Sequence, residues 1–264
     1  MKVVQFMMIL MFTVVIHTVD SLSYALRLGG LRSRRITLAL SLSGLLVLVS
    51  RTSNIAQSPM VGSMVDHALD SAAFRLEPRL HGIIAAATVG TLLAMLMFPS
   101  AARLCSRMVV HLEAAGSIPK MAKNLLSWAK WKNGLTYFKR PTFRMMRSLF
   151  EGPLPRRLMA LNIAITAIYT VGVLSALYAA YLWPAFRLTA STSSGLINGV
   201  ATILLTLLID PRIALLSDQA LRGETGLEKV NRVFGLLMVS RLLGTLLAQL
   251  LLVPCAYWIG WLIG

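Results

Sequence analysis

The sequence predicts an all-α integral membrane protein that crosses the bilayer six times. Three observations carry this reading. Apolar residues make up 56% of the chain against 14% charged, with mean hydropathy +0.71, a composition outside the range of soluble domains. The apolar residues are gathered into runs of the roughly 20 residues that a helix needs to cross a bilayer. The basic residues alternate from one set of connections to the other, as membrane topology requires.

The elements come in order along the chain. Span one covers 3–25; only Lys2 precedes it and no small-x-small site closes it, so it reads as a retained span rather than a cleaved leader. Spans two and three, 35–57 and 81–99, are predicted to end at Ser58-Pro59 and Phe98-Pro99. Spans four and five, 158–182 and 190–209, close at Trp183-Pro184 and Asp210-Pro211. The last, 233–262, holds Pro254, which lacks an amide donor and predicts a kink. The chain 1–264 reads as a single membrane domain. Cys105 and Cys255 have no motif spacing, so neither a disulfide framework nor a metal site is expected.

The segment 101–155, between spans three and four, is too long for a plain loop. From Pro119 to Arg147 it holds eight basic residues and no acid, interleaved with Trp128, Trp131, Tyr137, Phe138 and Phe143. Met121, Leu125, Trp128 and Leu135 share a helical face opposite Lys123 and Lys130, which predicts amphipathic cytoplasmic helices in the headgroup layer. Such a segment anchors and orients the protein, or offers a landing platform for an anionic lipid headgroup. Nothing outside the membrane is large enough for a nucleic-acid domain. Counting all connections, twenty Lys and Arg lie on this side of the membrane and four on the other, which places both termini outside.

Charges inside the spans are the functional signal. Arg51 and Arg241 interrupt apolar runs, and a charge at mid-bilayer costs about 3 kcal/mol even on the lenient insertion scale. Asn54 and Ser58 extend the Arg51 face. On span one, His17, Asp20, Ser21 and Tyr24 share a face. With Arg27 as the cytoplasmic edge, Asp20 lies roughly 10 Å deep and Arg241, counted from Arg232, roughly 13 Å, so the two can pair. Arg51 lies roughly 24 Å from that side. These groups either satisfy one another across packed helices or serve an anionic ligand; two deep arginines against one deep acid favour the ligand.

Spans one–two overlay on five–six without a gap, setting Asp20 on Asp210, Arg32 on Arg222 and Arg51 on Arg241. A duplication of this kind would be parallel, about an axis along the membrane normal. Ser191, Gly195 and Gly199 form a small-residue stripe on span five, and Gly172, Ala176 and Ala180 another on span four. Such stripes serve close helix packing or a homodimer seam without requiring one; the serines with Asn198 could instead line a hydrated outer vestibule.

No P-loop, metal cluster or G-x-S-x-G is present. His17, Asp20 and Ser21 on one helix are poorly arranged for a nucleophile relay. No catalytic residue, metal or cofactor is therefore expected. A polyprenyl-phosphate-processing membrane enzyme is the rival class.

The strings IHTVDSLSYALRLGGLRSRR, LVLVSRTSNIAQSP, TVGVLSALYAAYLWPAFRLTAS, INGVATILLTLLIDPRIALLSD and SRLLGTLLAQLLL closely resemble the Amj family of bacterial lipid II flippases. The resemblance covers most of the chain and is weakest over 101–155. It implies a protein of the bacterial cytoplasmic membrane that moves an undecaprenyl-pyrophosphate-linked peptidoglycan precursor, lipid II, to the outer leaflet. It also implies equivalence of function to MurJ without kinship of sequence, and it carries no residue-level site. The residues suit such transport. Arg27, Arg32 and the basic segment would collect the headgroup, and Arg241 then Arg51 would meet the pyrophosphate. Asp20 would release Arg241, with His17 and Asn54 on the same path. Another undecaprenyl-linked lipid is the alternative substrate.

Overall fold

The computed structural model describes residues 3–71, 74–117, 120, 142–151 and 155–264, and all the elements along them are helical. Helices α1 (Val3–Arg32), α2 (Ile36–Asp70) and α3 (Leu76–Ala115) precede a short amphipathic α4 (Phe143–Phe150). Next come α5 (Arg156–Leu182), a 3₁₀ turn (Pro184–Phe186) and α6 (Arg187–Leu204). A π turn (Leu205–Ile209) joins α6 to α7 (Asp210–Leu221), and α8 (Leu227–Ile263) completes the chain. Among the described residues, six segments are long and apolar enough to span a membrane, with Pro184–Leu221 counting as one.

The helices outrun the hydropathy that predicts them. Pro59 lies inside α2 and Pro99 inside α3, where the sequence places the span ends, and α8 continues unbroken through Pro254. Hydropathy falls where a segment leaves lipid, but the backbone ladder has no reason to stop there. α3 thus absorbs the first part of the basic segment and ends at Ala115. Gly116 closes it in the left-handed conformation at φ 68°, its amide donating to the Leu112 carbonyl at 2.9 Å. The face built on Met121, Leu125, Trp128 and Leu135 lies outside the described residues.

α1, α3, α5 and α8 form the centre, and α2 and α6 flank it. The most apolar stretch of α5 is 67% buried, whereas that of the α6–α7 segment is 17% buried. One core cluster joins Ile9, Met64, Leu80, Val171 and Leu252, and a second joins Tyr24, Leu28, Phe98, Phe234 and Met238. α1 and α3 touch backbone to backbone: a Cβ added at Gly90 would lie 2.5 Å from the Val14 carbonyl oxygen. Gly90→Ala is therefore expected to cost about 1–3 kcal/mol, as overpacked cores do, read as a lowered unfolding temperature in detergent.

The two small-residue stripes behave differently. Gly172, Ala176 and Ala180 are buried in α5, with Asn198 seated against Gly172. On α6 the contact with the bundle runs through Ala190, Ile197 and Ala201. Gly195 and Gly199 have nothing within 4 Å of an added Cβ. The α6 stripe is therefore not the packing face that its spacing predicts.

Candidate functional site

Two cavities of about 40 Å³ each lie end to end among α1, α2 and α5, sharing Tyr169 as a wall. The first is lined by polar groups including Thr13, His17, Asn54, Gln57 and Ser58. The second holds the charges: Asp20, Arg27, Arg51, Asp210 and Arg241, with Tyr24 and Thr202.

Arg241 pairs with Asp20 through a short hydrogen-bonded contact, with 8% and 16% of their side chains exposed. α8 brings Arg241 there from the opposite end of the chain, and its guanidinium sits 5.6 Å from the Tyr24 ring centroid. Tyr24 is held in place by its hydroxyl, which donates to Asn162 Oδ1 at 3.4 Å. The Asn162 amide donates in turn to Ser240 Oγ and the Leu237 carbonyl at 2.7 and 3.0 Å. Arg241 Nε has no hydrogen-bond partner among the described residues.

A second ion pair was not foreseen from the sequence. Arg27 Nη1 donates to Asp210 Oδ1 at 2.7 Å, with 16% of the Arg27 side chain exposed. Arg27 is therefore packed against the start of α7 and not free in solvent. α1 runs on to Arg32, which donates to Asn231 at 2.9 Å; counted from Arg32, Asp20 lies roughly 18 Å along the helix. Asp210 is marked in the sequence by its overlay on Asp20, but an acid beside a proline reads first as the close of span five.

Arg51 differs from both. Its Nη1 donates to Thr202 Oγ1 at 2.9 Å, and its guanidinium lies 5.5 Å from the Tyr169 ring centroid. Thr202 can accept because its own hydroxyl donates to the Asn198 carbonyl at 2.7 Å. No carboxylate lies within ion-pair distance of Arg51 among the described residues. Asn54 and Tyr169 line the first cavity together, and His17 is buried with Nδ1 unpartnered among the described residues. Tyr169 itself was not legible: a lone tyrosine in an apolar span has no pattern to flag it.

The cavity wall thus presents three arginines to two aspartates. In a low-dielectric interior that excess favours an anion. At about 40 Å³ either cavity takes a few waters, so a lipid headgroup needs the bundle to open.

The lipid II flippase Amj of Bacillus subtilis (strain 168) is 39% identical to this chain over 259 residues, covering 98% of the chain and 96% of that protein. No solved structure matches. The family model Amj, described as alternate to MurJ, matches residues 12–263. This polytopic membrane chain belongs to the Amj family.

Proposed function

We propose that the protein carries lipid II from the inner to the outer leaflet of the bacterial cytoplasmic membrane, with intramembrane arginines guiding the pyrophosphate. The relative of 39% identity is named for that substrate, and the observation that carries the mechanism is Arg51, a cation on the cavity wall with no carboxylate within ion-pair distance among the described residues. The pyrophosphate would replace Thr202 and Tyr169 as the partner of Arg51, and Arg241 Nε offers a further donor on the same wall. Asp20 keeps Arg241 from trapping the anion, and Asp210 does the same for Arg27.

With both termini outside, the basic connections face the cytoplasm and attract the anionic headgroup, and Arg32 with Arg27 leads it inward. The inside-negative potential then favours outward passage by about 2.3 kcal/mol per charge per 100 mV, so ATP hydrolysis is not needed. The test is translocation of lipid II in proteoliposomes, read by the access of an added soluble probe to the headgroup, with the lipid analysed afterwards by mass spectrometry. Transport of chemically unchanged lipid is expected. A folded protein that leaves lipid II in place, or alters it covalently, sinks the proposal.

A further inference from the structure

The seam between α2 and α6 is unlike the other helix contacts in the bundle. The two helices run antiparallel and two arginine arms tie them together, one from each. Arg51 of α2 donates to Thr202 of α6, and Arg187 of α6 donates to Asp66 of α2 at 3.2 Å. The ties are in register. Fifteen residues separate Arg51 from Asp66 and fifteen separate Arg187 from Thr202, about 22 Å along either helix.

Between the ties, each helix turns a polar or small face toward the seam. On α2 it is Asn54, Ser58 and Gly62; on α6 it is Ser191 and Gly195. Gly62 and Gly195 have nothing within 4 Å of an added Cβ. Neighbouring faces of the same helices are apolar and exposed, as at Leu48, Ile55, Val200 and Ile203. Behind the seam, buried His17 with its unpartnered Nδ1 lines the same cavity as Asn54 and Ser58.

We propose that this slit is the outer part of the route for the polar headgroup, taking its sugars while the polyprenyl chain stays in lipid against the apolar rims. The inference rests on the flippase reading and names the path within it. Uncharged amide and hydroxyl groups suit a glycan, which needs many exchangeable hydrogen bonds and no fixed charge. The slit begins at Arg51, where the diphosphate would be held, so both ends of one amphiphile find their chemistry. Drawing Arg51 onto phosphate releases Thr202 and with it the inner tie, which couples arrival of the substrate to parting of the two helices.

Gly195→Trp fills the slit without touching either arginine, and Leu250→Trp adds the same indole at an exposed position on α8. In proteoliposomes Gly195→Trp is expected to lose on the order of tenfold or more in lipid II translocation, with Leu250→Trp at the parent rate. As an independent readout, Gly195→Cys in a background with Cys105→Ala and Cys255→Ala should react with an externally added impermeant maleimide. Lipid II should slow that reaction several-fold, and the bare polyprenol should not. Parent-rate transport by Gly195→Trp overturns the slit and leaves the flippase reading standing. Absence of protection by lipid II at Gly195→Cys does the same, even for a tryptophan variant that fails to fold. Absence of transport by the parent overturns the reading on which the slit rests.

Discussion

Asp20→Asn is expected to be the least stable single variant of the polar core, weakened by about 3–5 kcal/mol, because it leaves Arg241 as an unpaired cation in a buried site. The complementary change, Arg241→Gln, should cost less. A carboxylate left alone in a low-dielectric site can take up a proton, whereas a guanidinium cannot give one away. The double variant Asp20→Asn/Arg241→Gln should recover most of the loss, since no charge then remains buried. Thermal unfolding in detergent separates these cases. A double variant as unstable as Asp20→Asn would show that the residues matter separately and not as a pair.

Arg51→Ala should show the opposite profile. It gives up one hydrogen bond to Thr202 and one contact with Tyr169, and it orphans no acid. The stability cost is therefore about 1 kcal/mol or less. Translocation should fall on the order of tenfold to a hundredfold, the range for removing a cation that compensates developing contact with phosphate oxygens. Arg51→Lys should be intermediate, since a lysine keeps the charge without the planar fork. An Arg51→Ala protein that moves lipid II at the parent rate would remove Arg51 from the path.

The different outcomes expected for the two arginines were not separable from the sequence. Arg51 and Arg241 look alike there, each a lone cation in an apolar run. What distinguishes them is the partner, and partners come from elsewhere in the chain: Asp20 is 221 residues from Arg241, and Thr202 is 151 from Arg51. The helices themselves were legible because bilayer thickness forces long apolar runs, and the depths of Asp20 and Arg241 were close enough to suggest their pairing. The partner of Arg27 was hidden for a definite reason. A basic residue after an apolar run reads as the membrane edge, where no partner is sought, and only the fold shows Asp210 meeting it. The prolines misled in the same way. Pro59 and Pro99 read as stops, yet long helices accommodate them where neighbouring helices support the backbone. The slit is a middle case. Its serines were visible as a polar face, but a spacing of four equally describes tight packing, and the open space at Gly195 is what supports the slit proposed above.

The π turn at Leu205–Ile209 bears on the gapless overlay of the two hairpins. A strict exchange of one hairpin for the other would turn the Asp20–Arg241 pair into an Asp210–Arg51 pair. The π turn adds about one residue to the helix just before Asp210, and so rotates the downstream helix by roughly 100°. Pro211, unable to donate, leaves the backbone there free to accept the wider turn. Asp210 accordingly meets Arg27 rather than Arg51. With three arginines to two aspartates one cation is left over in either arrangement; the local defect in the helix decides that it is Arg51 and not Arg27.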